Sequence, residues 1–397
     1  MLVCLSVSAQ GKAEKQPSKG LRFFYRIGDR VDNYLERDVD TAYIVLPAHS
    51  FNVAFTTAMV GINSRLTSNS QTMDVTVPLS LSLYNRTIPS VDLGFNVGYR
   101  GFGFGYSWDA LHAYARHIQF SFGSKSMGLE FDMKTSRNIS TSVAVGEALV
   151  PSLTDMRDAV AITNTNLSFW YALNAAHYSH NAATKQSFIQ RKPAGSILLH
   201  LSYMSSQIQL SDSLMVSGAS KPLITSLMSD MSGMTTRQVA VGIGYGINYT
   251  PNKGKLLFHA SAAAMLVCYS VNHIQYYLSD DQKAGLPDEA YFVLHPAVPV
   301  HVTGHVRAAI SWEINEWVHL SAWATADHLR FNSTQTANQN SLALANWNWK
   351  AQLTVGVRFG AGKDRVQRAL NYPEHQSIHR EHDRFPLWLT DYFWSPK

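Results

Sequence analysis

Cysteine is almost absent from this sequence. Its only two cysteines, Cys4 and Cys268, exclude a disulfide framework and a zinc site built on cysteines. Charge is scarce as well, at 15% of the residues, whereas an ordinary soluble protein has roughly 25%. The net charge of +5 is small for 397 residues and is not gathered into a basic stripe, so we expect no nucleic-acid partner.

Long apolar runs are also missing. A membrane-spanning helix needs roughly 18 to 20 consecutive apolar residues, and the best run here, residues 260–269, is about half that length. This excludes a helical membrane protein, although 46% of the residues are hydrophobic and 11% are aromatic. Low charge without long apolar runs is typical of a membrane β-barrel, in which only alternate strand residues face lipid.

Residues 91–108, VDLGFNVGYRGFGFGYSW, show such an alternation between bulky apolar and small or polar side chains. The phase flips at Arg100-Gly101, so a tight turn there would return both apolar rows to one face of a hairpin; a bulged continuous strand is the alternative. A half-buried soluble sheet usually places Lys, Glu and Thr on its second face, but glycine and small polar residues stand there instead. Bulky residues outward and small or polar residues inward indicate a transmembrane β-barrel.

About thirteen alternating segments follow one another from residue 51 to residue 359, most of them near the roughly 9 to 11 residues that a tilted strand needs to cross a bilayer. One of them, at 75–83, contains Pro78, which cannot donate to a strand ladder. Because single-chain bacterial barrels have even strand numbers, the sequence predicts an all-β, up-and-down antiparallel transmembrane barrel of 12 strands, with 14 as the alternative. A soluble β-sandwich is the rival fold.

The connections between segments are of two lengths. Long ones are predicted at 211–236, 272–298 and 332–346, and short turns between them at 251–254 and 313–316. Bacterial barrels have this asymmetry, with long loops outside the cell and short turns in the periplasm.

Both ends of the chain lie outside the predicted barrel, which spans residues 46–360. Residues 1–10 are predicted to be a signal peptide, truncated because its basic start is missing. Residues 11–45 are predicted as a periplasmic linker with a short N-terminal amphipathic helix at 21–40. Residues 361–397 are predicted to form a polar periplasmic tail. Its His375, His379 and His382 have metal-compatible spacing, but solvated histidines are the favoured interpretation, and no metal or cofactor is expected.

Three stretches carry a resemblance to a known family: DTAYI at 40–44, GYRGFGFGYS at 98–107 and QSFIQRKPAGSILLHLSY at 186–203. They resemble a domain-of-unknown-function family of outer-membrane β-barrels from Bacteroidota. The resemblance covers about residues 40–360 and implies a barrel in the bacterial outer membrane, in contact with its lipid. It carries no catalytic residue over. Barrels commonly end on an aromatic that the assembly machinery binds, so either Phe359 serves from an internal position or residues 392–394 belong to a further element. An unidentified periplasmic or surface partner is a further expectation.

Charged and histidine side chains at inward positions are the candidate site. In an open lumen they would select ions; in a filled one they would pair with each other. They are Glu130, Asp132, Lys134, His305, Arg307, His319, Asp327, Lys350 and Arg358.

Enzymatic motifs of the GxSxG, P-loop, HExxH and CxxC types are missing. His319, Ser321 and Asp327 share an inward face, but any polar lumen supplies such a trio, so we do not expect an enzyme. The favoured function is a small-solute channel or transport-associated barrel. The alternatives are a plugged structural or surface-interaction barrel acting through its extracellular loops and, third, a membrane-embedded hydrolase.

Overall fold

The computed structural model describes most of the chain between residues 39 and 359. The described ranges are 39–47, 49–72, 75–85, 90–110, 116–137, 139–145, 148–149, 160–210, 231–251, 255–276, 291–296, 300–335 and 340–359. The predicted signal peptide, nearly all of the predicted N-terminal helix, and the tail with His375, His379 and His382 lie outside them. No helix in the described ranges has the length and apolar character to cross a membrane.

Strands make up nearly all of the described secondary structure, together with one helical turn, α1 (Asn181–Thr184). The strands are β1 (Ile44–Val45), β2 (Phe51–Thr72), β3 (Val75–Asn85), β4 (Ser90–Tyr99), β5 (Phe102–Asp109), β6 (Arg116–Gly123), β7 (Met127–Ser136), β8 (Ile139–Val145), β9 (Ala148–Leu149), β10 (Val160–Ala172), β11 (Ile189–Gln190), β12 (Ala194–Leu210), β13 (Met231–Tyr249), β14 (Leu256–Tyr276), β15 (Tyr291–Leu294), β16 (His301–Glu313), β17 (Val318–Gln335) and β18 (Asn340–Phe359).

Twelve of these strands close into one antiparallel barrel. Their order around the wall is β2, β4, β5, β6, β7, β10, β12, β13, β14, β16, β17 and β18, and β18 pairs back onto β2 from Phe359↔Phe51 to Ser341↔Asn69. The predicted 12-strand antiparallel barrel is therefore confirmed. The thirteenth segment is β3. It pairs with the second half of β2, on the side where β4 pairs with the first half, and its other neighbour is β8.

The hairpin predicted around Arg100-Gly101 is present. Tyr99 pairs with Phe102, and Arg100 has φ 52, the left-handed conformation that a two-residue hairpin turn demands. Short connections of this kind stand at one end of the barrel, which we call the plug end because residues 173–193 fold into the lumen there. We call the opposite end the far end.

The long connections at the far end are shorter in the structure than the sequence predicts. β13 already begins at Met231, β14 continues to Tyr276, and β17 and β18 are separated only by residues 336–339. The reason is chemical: in these extensions the buried inward positions mix apolar Met234, Ile274 and Leu344 with polar Thr236, Asn272 and Asn346, so the polar and apolar alternation that marks a strand fades.

The two faces of the wall differ as predicted. Bulky apolar side chains point outward and are exposed around the circumference; among them are Phe55, Phe95, Phe104, Phe120, Leu167, Leu199, Ile243, Ile310 and Leu353. Trp108, Trp312 and Trp349 share this outward face, whereas Trp170 points inward and is 2% exposed. Its neighbours Phe169 and Tyr171 take the outward positions, and strand alternation sends Trp170 into the lumen.

Candidate functional site

The lumen is filled at the plug end by residues 173–193, which connect β10 to β12 and which we call the plug. Its side chains Tyr178, Ala183 and Phe188 are buried. Its short strand β11 pairs with β1, so the segment that precedes the barrel lies across the same mouth (Ile44↔Gln190). Apolar burial and strand pairing together hold the plug in one position.

Polar contacts tie the plug to the surrounding wall. Asn181 Nδ2 donates to the Ser124 carbonyl at 3.0 Å, and Asn248 Nδ2 donates to the Ser179 carbonyl at 2.8 Å. On another side the buried Arg358 donates to the Gln186 carbonyl at 3.3 Å and forms an ion pair with Glu313. Buried polar groups satisfied in this way fix the geometry of the element they belong to.

Glycines in the wall make room for the plug. A Cβ on Gly246 would stand 2.0 Å from the Tyr178 hydroxyl, and a Cβ on Gly123 would stand 2.2 Å from Asn181 Nδ2. Both positions therefore require the residue without a side chain.

An ion pair crosses the lumen directly above the plug. Arg307 on β16 donates to Glu130 on β7 through both terminal nitrogens, at 3.2 and 2.7 Å, and these strands are separated by four others on one side of the barrel and six on the other. Lys185 of the plug lies 3.6 Å from the same carboxylate. Bidentate arginine pairs combine strength with fixed geometry, so this contact joins two opposite walls and the plug.

His180 completes this layer from the plug side. Burial, followed by the nearby His259 and Arg307, holds the pKa of His180 well below its usual range. A neutral imidazole can accept at one nitrogen and donate at the other. Its Nε2 lies 3.2 Å from Arg307 Nη1, which must donate, so its Nδ1–H is free to donate to the Tyr178 hydroxyl at 3.1 Å.

A polar cavity of about 140 Å³ lies in the middle of the barrel. Asp132 accepts hydrogen bonds there from His117 Nε2 at 2.7 Å and from Gln119 at 2.8 Å. On the other wall Asp327 contacts His305 at 2.6 Å.

On the far-end side the cavity is roofed mainly by a cluster of apolar side chains from β2, β8, β10, β12, β13, β14, β17 and β18, among which polar side chains such as Ser64 and Asn346 are also buried. The cluster includes Ile62, Ile162, Met204, Met265, Phe331 and Leu344. Just below it Asn164 on β10 donates to Asn348 on β18 at 2.9 Å, and these two strands stand opposite each other, five strands apart either way. The polar layer is thus separated from the far end by packed side chains.

A second cavity of about 50 Å³ lies beside the plug. Its lining includes Arg100 and Gly101 of the rim turn as well as interior residues of β17 and β18. Thr184 and Lys185 line both cavities.

All nine side chains singled out in the sequence point into the lumen, at two levels. Seven line the mid-barrel cavity: Glu130, Asp132, Lys134, His305, Arg307, Asp327 and Lys350. Two line the second cavity: His319 and Arg358.

The trio considered for a hydrolase is not assembled. Asp327 bonds to His305 and lies six and eight residues along β17 from Ser321 and His319, which corresponds to roughly 20 and 26 Å at strand rise. A different set, Ser107, His117 and Asp132, is connected by hydrogen bonds at 3.3 and 2.7 Å. Here the carboxylate faces the mid-barrel cavity, while Ser107 is 8% exposed and lines a separate cavity of about 10 Å³, which holds about one water molecule and no substrate.

Several residues of the site were not predicted from the sequence. His117 stands at an inward position of β6 and could have been found by alternation. His180 and Lys185 could not, because the plug has no strand periodicity. Within the described residues no group of three or more His, Cys, Asp or Glu side chains has the arrangement of a metal site.

Fold and site define a class: an antiparallel β-barrel with an apolar outer face, a polar interior and an internal plug. More specifically, the chain belongs to the family described as a domain of unknown function (DUF4421), whose model matches residues 38–359. No protein of curated function matches the sequence.

Solved outer-membrane barrels are similar in architecture only. The outer membrane protease OmpT of Escherichia coli is 7% identical over 79% of this chain and 98% of its own, with a TM-score of 0.35. OprG of Pseudomonas aeruginosa is 9% identical over 79% and 98%, with a TM-score of 0.26. The toluene transporter TodX of P. putida is 10% identical over 78% and 90%, with a TM-score of 0.25. No activity or substrate carries over at these levels of similarity.

Proposed function

We propose that this protein is an outer-membrane barrel whose lumen is permanently closed to through-passage by the plug together with the apolar cluster, and which acts through the surfaces and connections at its far end. The observation that supports this is the Arg307–Glu130 ion pair across the lumen, which also holds Lys185 of the plug. Of the functions considered from sequence, the plugged structural or surface-interaction barrel fits this geometry best.

The outer face supports the membrane location. Exposed side chains such as Phe55, Ile243 and Leu353 surround the barrel, and an apolar surface of this extent is costly in water but favourable in lipid. The proposal includes export by the leader at residues 1–10, insertion by the barrel-assembly machinery and an origin among Bacteroidota, for which the sequence pattern is the support.

The small-solute channel is the second candidate. The two polar cavities favour it, because they lie in series between the plug end and the middle of the barrel and share Thr184 and Lys185. In that case the apolar cluster on the far-end side would have to open, and the charges of the mid-barrel cavity would set ion selectivity.

Conductance in planar bilayers separates the two candidates. We expect the folded protein to be silent, and stable conductance steps only from a variant in which a short Gly-Ser linker replaces residues 175–193 and the apolar cluster is opened by Phe331→Gly and Leu344→Gly. Heat-modifiable gel mobility controls for folding of both proteins. Stable steps from the unmodified protein, with ion selectivity altered by Arg307→Glu, would overturn the closed-lumen proposal in favour of the channel.

A further inference from the structure

The mid-barrel cavity has polar neighbours toward the plug end and apolar ones toward the far end. The second cavity extends from the rim turn at Arg100 to Lys185, where the mid-barrel cavity begins. In its walls Asn52 Oδ1, Ser187 Oγ and His319 Nδ1 are buried without a protein partner. Buried polar atoms of this kind favour hydration, whereas the apolar roof excludes it.

Lys185 stands where the two cavities meet. It follows the last residue of α1, and its ammonium is held by Glu130 at 3.6 Å. A flexible lysine side chain with one long ion-pair contact can swing aside without disturbing the Arg307–Glu130 pair. The route from the plug end therefore passes the shared lining at Thr184 and Lys185, while a route from the far end passes through the apolar cluster.

Lys350 differs from the other cations of the mid-barrel cavity. Lys134 has Asp92 at 3.6 Å, and Arg307 and Lys185 share Glu130. The Lys350 ammonium contacts His117 Nδ1 at 3.4 Å and the ring of Trp323 at 4.8 Å, and among the described residues no carboxylate lies within ion-pair distance of it.

A buried ammonium without a carboxylate is costly, because burial removes its hydration. An ammonium can only donate, so His117 Nδ1 accepts from Lys350 and His117 Nε2–H donates to Asp132. The nearest carboxylate is thus occupied by His117 and Gln119. One anionic group entering the cavity would meet a cation with free donors beside an aromatic face.

We propose that the mid-barrel cavity is a binding site for a small organic anion, of the size of a short-chain carboxylate, which enters from the plug end past Lys185 and is held by Lys350. This inference rests on the closed lumen proposed above only for the direction of entry. The anion preference stands on Lys350 alone.

Thiol labelling inside the cavity tests the site. In a Cys4→Ser, Cys268→Ser background, Thr325→Cys introduces a thiol into the cavity lining. The folded protein in detergent is treated with two methanethiosulfonates of similar size, the anionic 2-sulfonatoethyl and the cationic 2-(trimethylammonio)ethyl reagent. Relative to the ratio of rates for free 2-mercaptoethanol, we expect the anionic reagent to be favoured at least tenfold, and sodium propionate, but not propylammonium chloride, to protect the thiol.

Two variants assign the roles, with a third as control. Lys350→Gln should bring the rate ratio back to that of the free thiol, whereas Lys192→Gln, which removes an exposed lysine at the rim outside the cavity, should leave the ratio unchanged. Lys185→Trp should slow both reagents at least tenfold without changing their ratio.

Several results would overturn the proposal. They are a thiol that neither reagent reaches, equal preference for both reagents, or protection by propylammonium as strong as by propionate. The last two need no lysine variant, so they decide the matter even if Lys350→Gln does not fold. A barrel that conducts but shows the anion preference would refute the closed lumen and leave the site standing.

Discussion

Glu130 should be the costliest single charge to remove from the lumen. Breaking a buried ion pair by deleting one partner costs about 3–5 kcal/mol, because the other charge stays buried and uncompensated. Glu130→Gln leaves two cations without a carboxylate, Arg307 and Lys185, so we expect the upper part of that range. Arg307→Met leaves Glu130 with Lys185 at 3.6 Å, so we expect about 3 kcal/mol or less.

The double variant tests whether the two effects have one cause. With both charges removed, Lys185 alone is left without its carboxylate, and the loss should fall short of the sum of the single losses by about 2 kcal/mol. Urea unfolding of the protein in lipid vesicles, followed by tryptophan fluorescence, measures all three variants. Asp40→Asn serves as the control, since its pairing with His177 is half-exposed on both sides and contributes less than about 1 kcal/mol.

Two outcomes would refute this reasoning. If Arg307→Met costs as much as Glu130→Gln, then Lys185 does not compensate the carboxylate. If the losses of the two single variants simply add, then the contact across the lumen contributes no coupling, and the closure of the barrel must be explained by the plug and the apolar cluster alone.

Three further predictions concern the plug and the outer face. Gly246→Ala should lower the free energy of unfolding in urea by about 1–3 kcal/mol, because its Cβ would press on the buried Tyr178 of the plug. Gly304→Ala, whose Cβ would have its nearest neighbour at 3.8 Å, should change that free energy by less than about 0.5 kcal/mol. Equal losses would contradict the close fit. Ile243→Lys, in the middle of the outward face, should cost about 2–4 kcal/mol in lipid and Tyr249→Lys at the strand end about 0–1 kcal/mol, and similar small losses at both would argue against a membrane-embedded wall. The pKa of His180 lies well below its usual range in the folded state, so below about pH 6.5 the unfolded chain takes up a proton that the folded chain does not. The free energy of unfolding should therefore fall as the pH drops from 7 to 5, by at most about 1.4 kcal/mol per pH unit from this group. In His180→Asn the fall should be less steep.

The barrel wall could be predicted because lipid outside and a lumen inside impose the same alternation on every crossing strand. The exceptions have physical reasons. β3 has the pattern of a wall strand but takes the place of β4 beside the second half of β2, because β2 is 22 residues long and outruns its first partner. Trp170 is as bulky as the outward residues, but it stands between two outward neighbours on its strand. Strand alternation therefore places it in the lumen.

The contents of the lumen could not be predicted in the same way. Inward positions carry no signal for what they contact, because a charge that lines a pore and a charge paired across a filled lumen look alike along one strand. Glu130 and Arg307 are 177 residues apart, and the plug residue that joins them lies in a connection without periodicity. Pairing of inward residues depends on how strands stand opposite each other, which only the closed barrel determines.

The order of the layers in the lumen has a consequence for function. Apolar side chains at the far end and charged ones in the middle are the reverse of a pore, which would place polar groups along its whole length. The apolar cluster excludes water from the far-end side, so the polar layer can exchange with solvent only past the plug. If the plug stays in place, any ligand of the inner charges comes from the plug end, and any partner at the far end meets the strand extensions and connections rather than the lumen. The two ends of this barrel are thus suited to different tasks, and a substitution in one should leave the other unchanged.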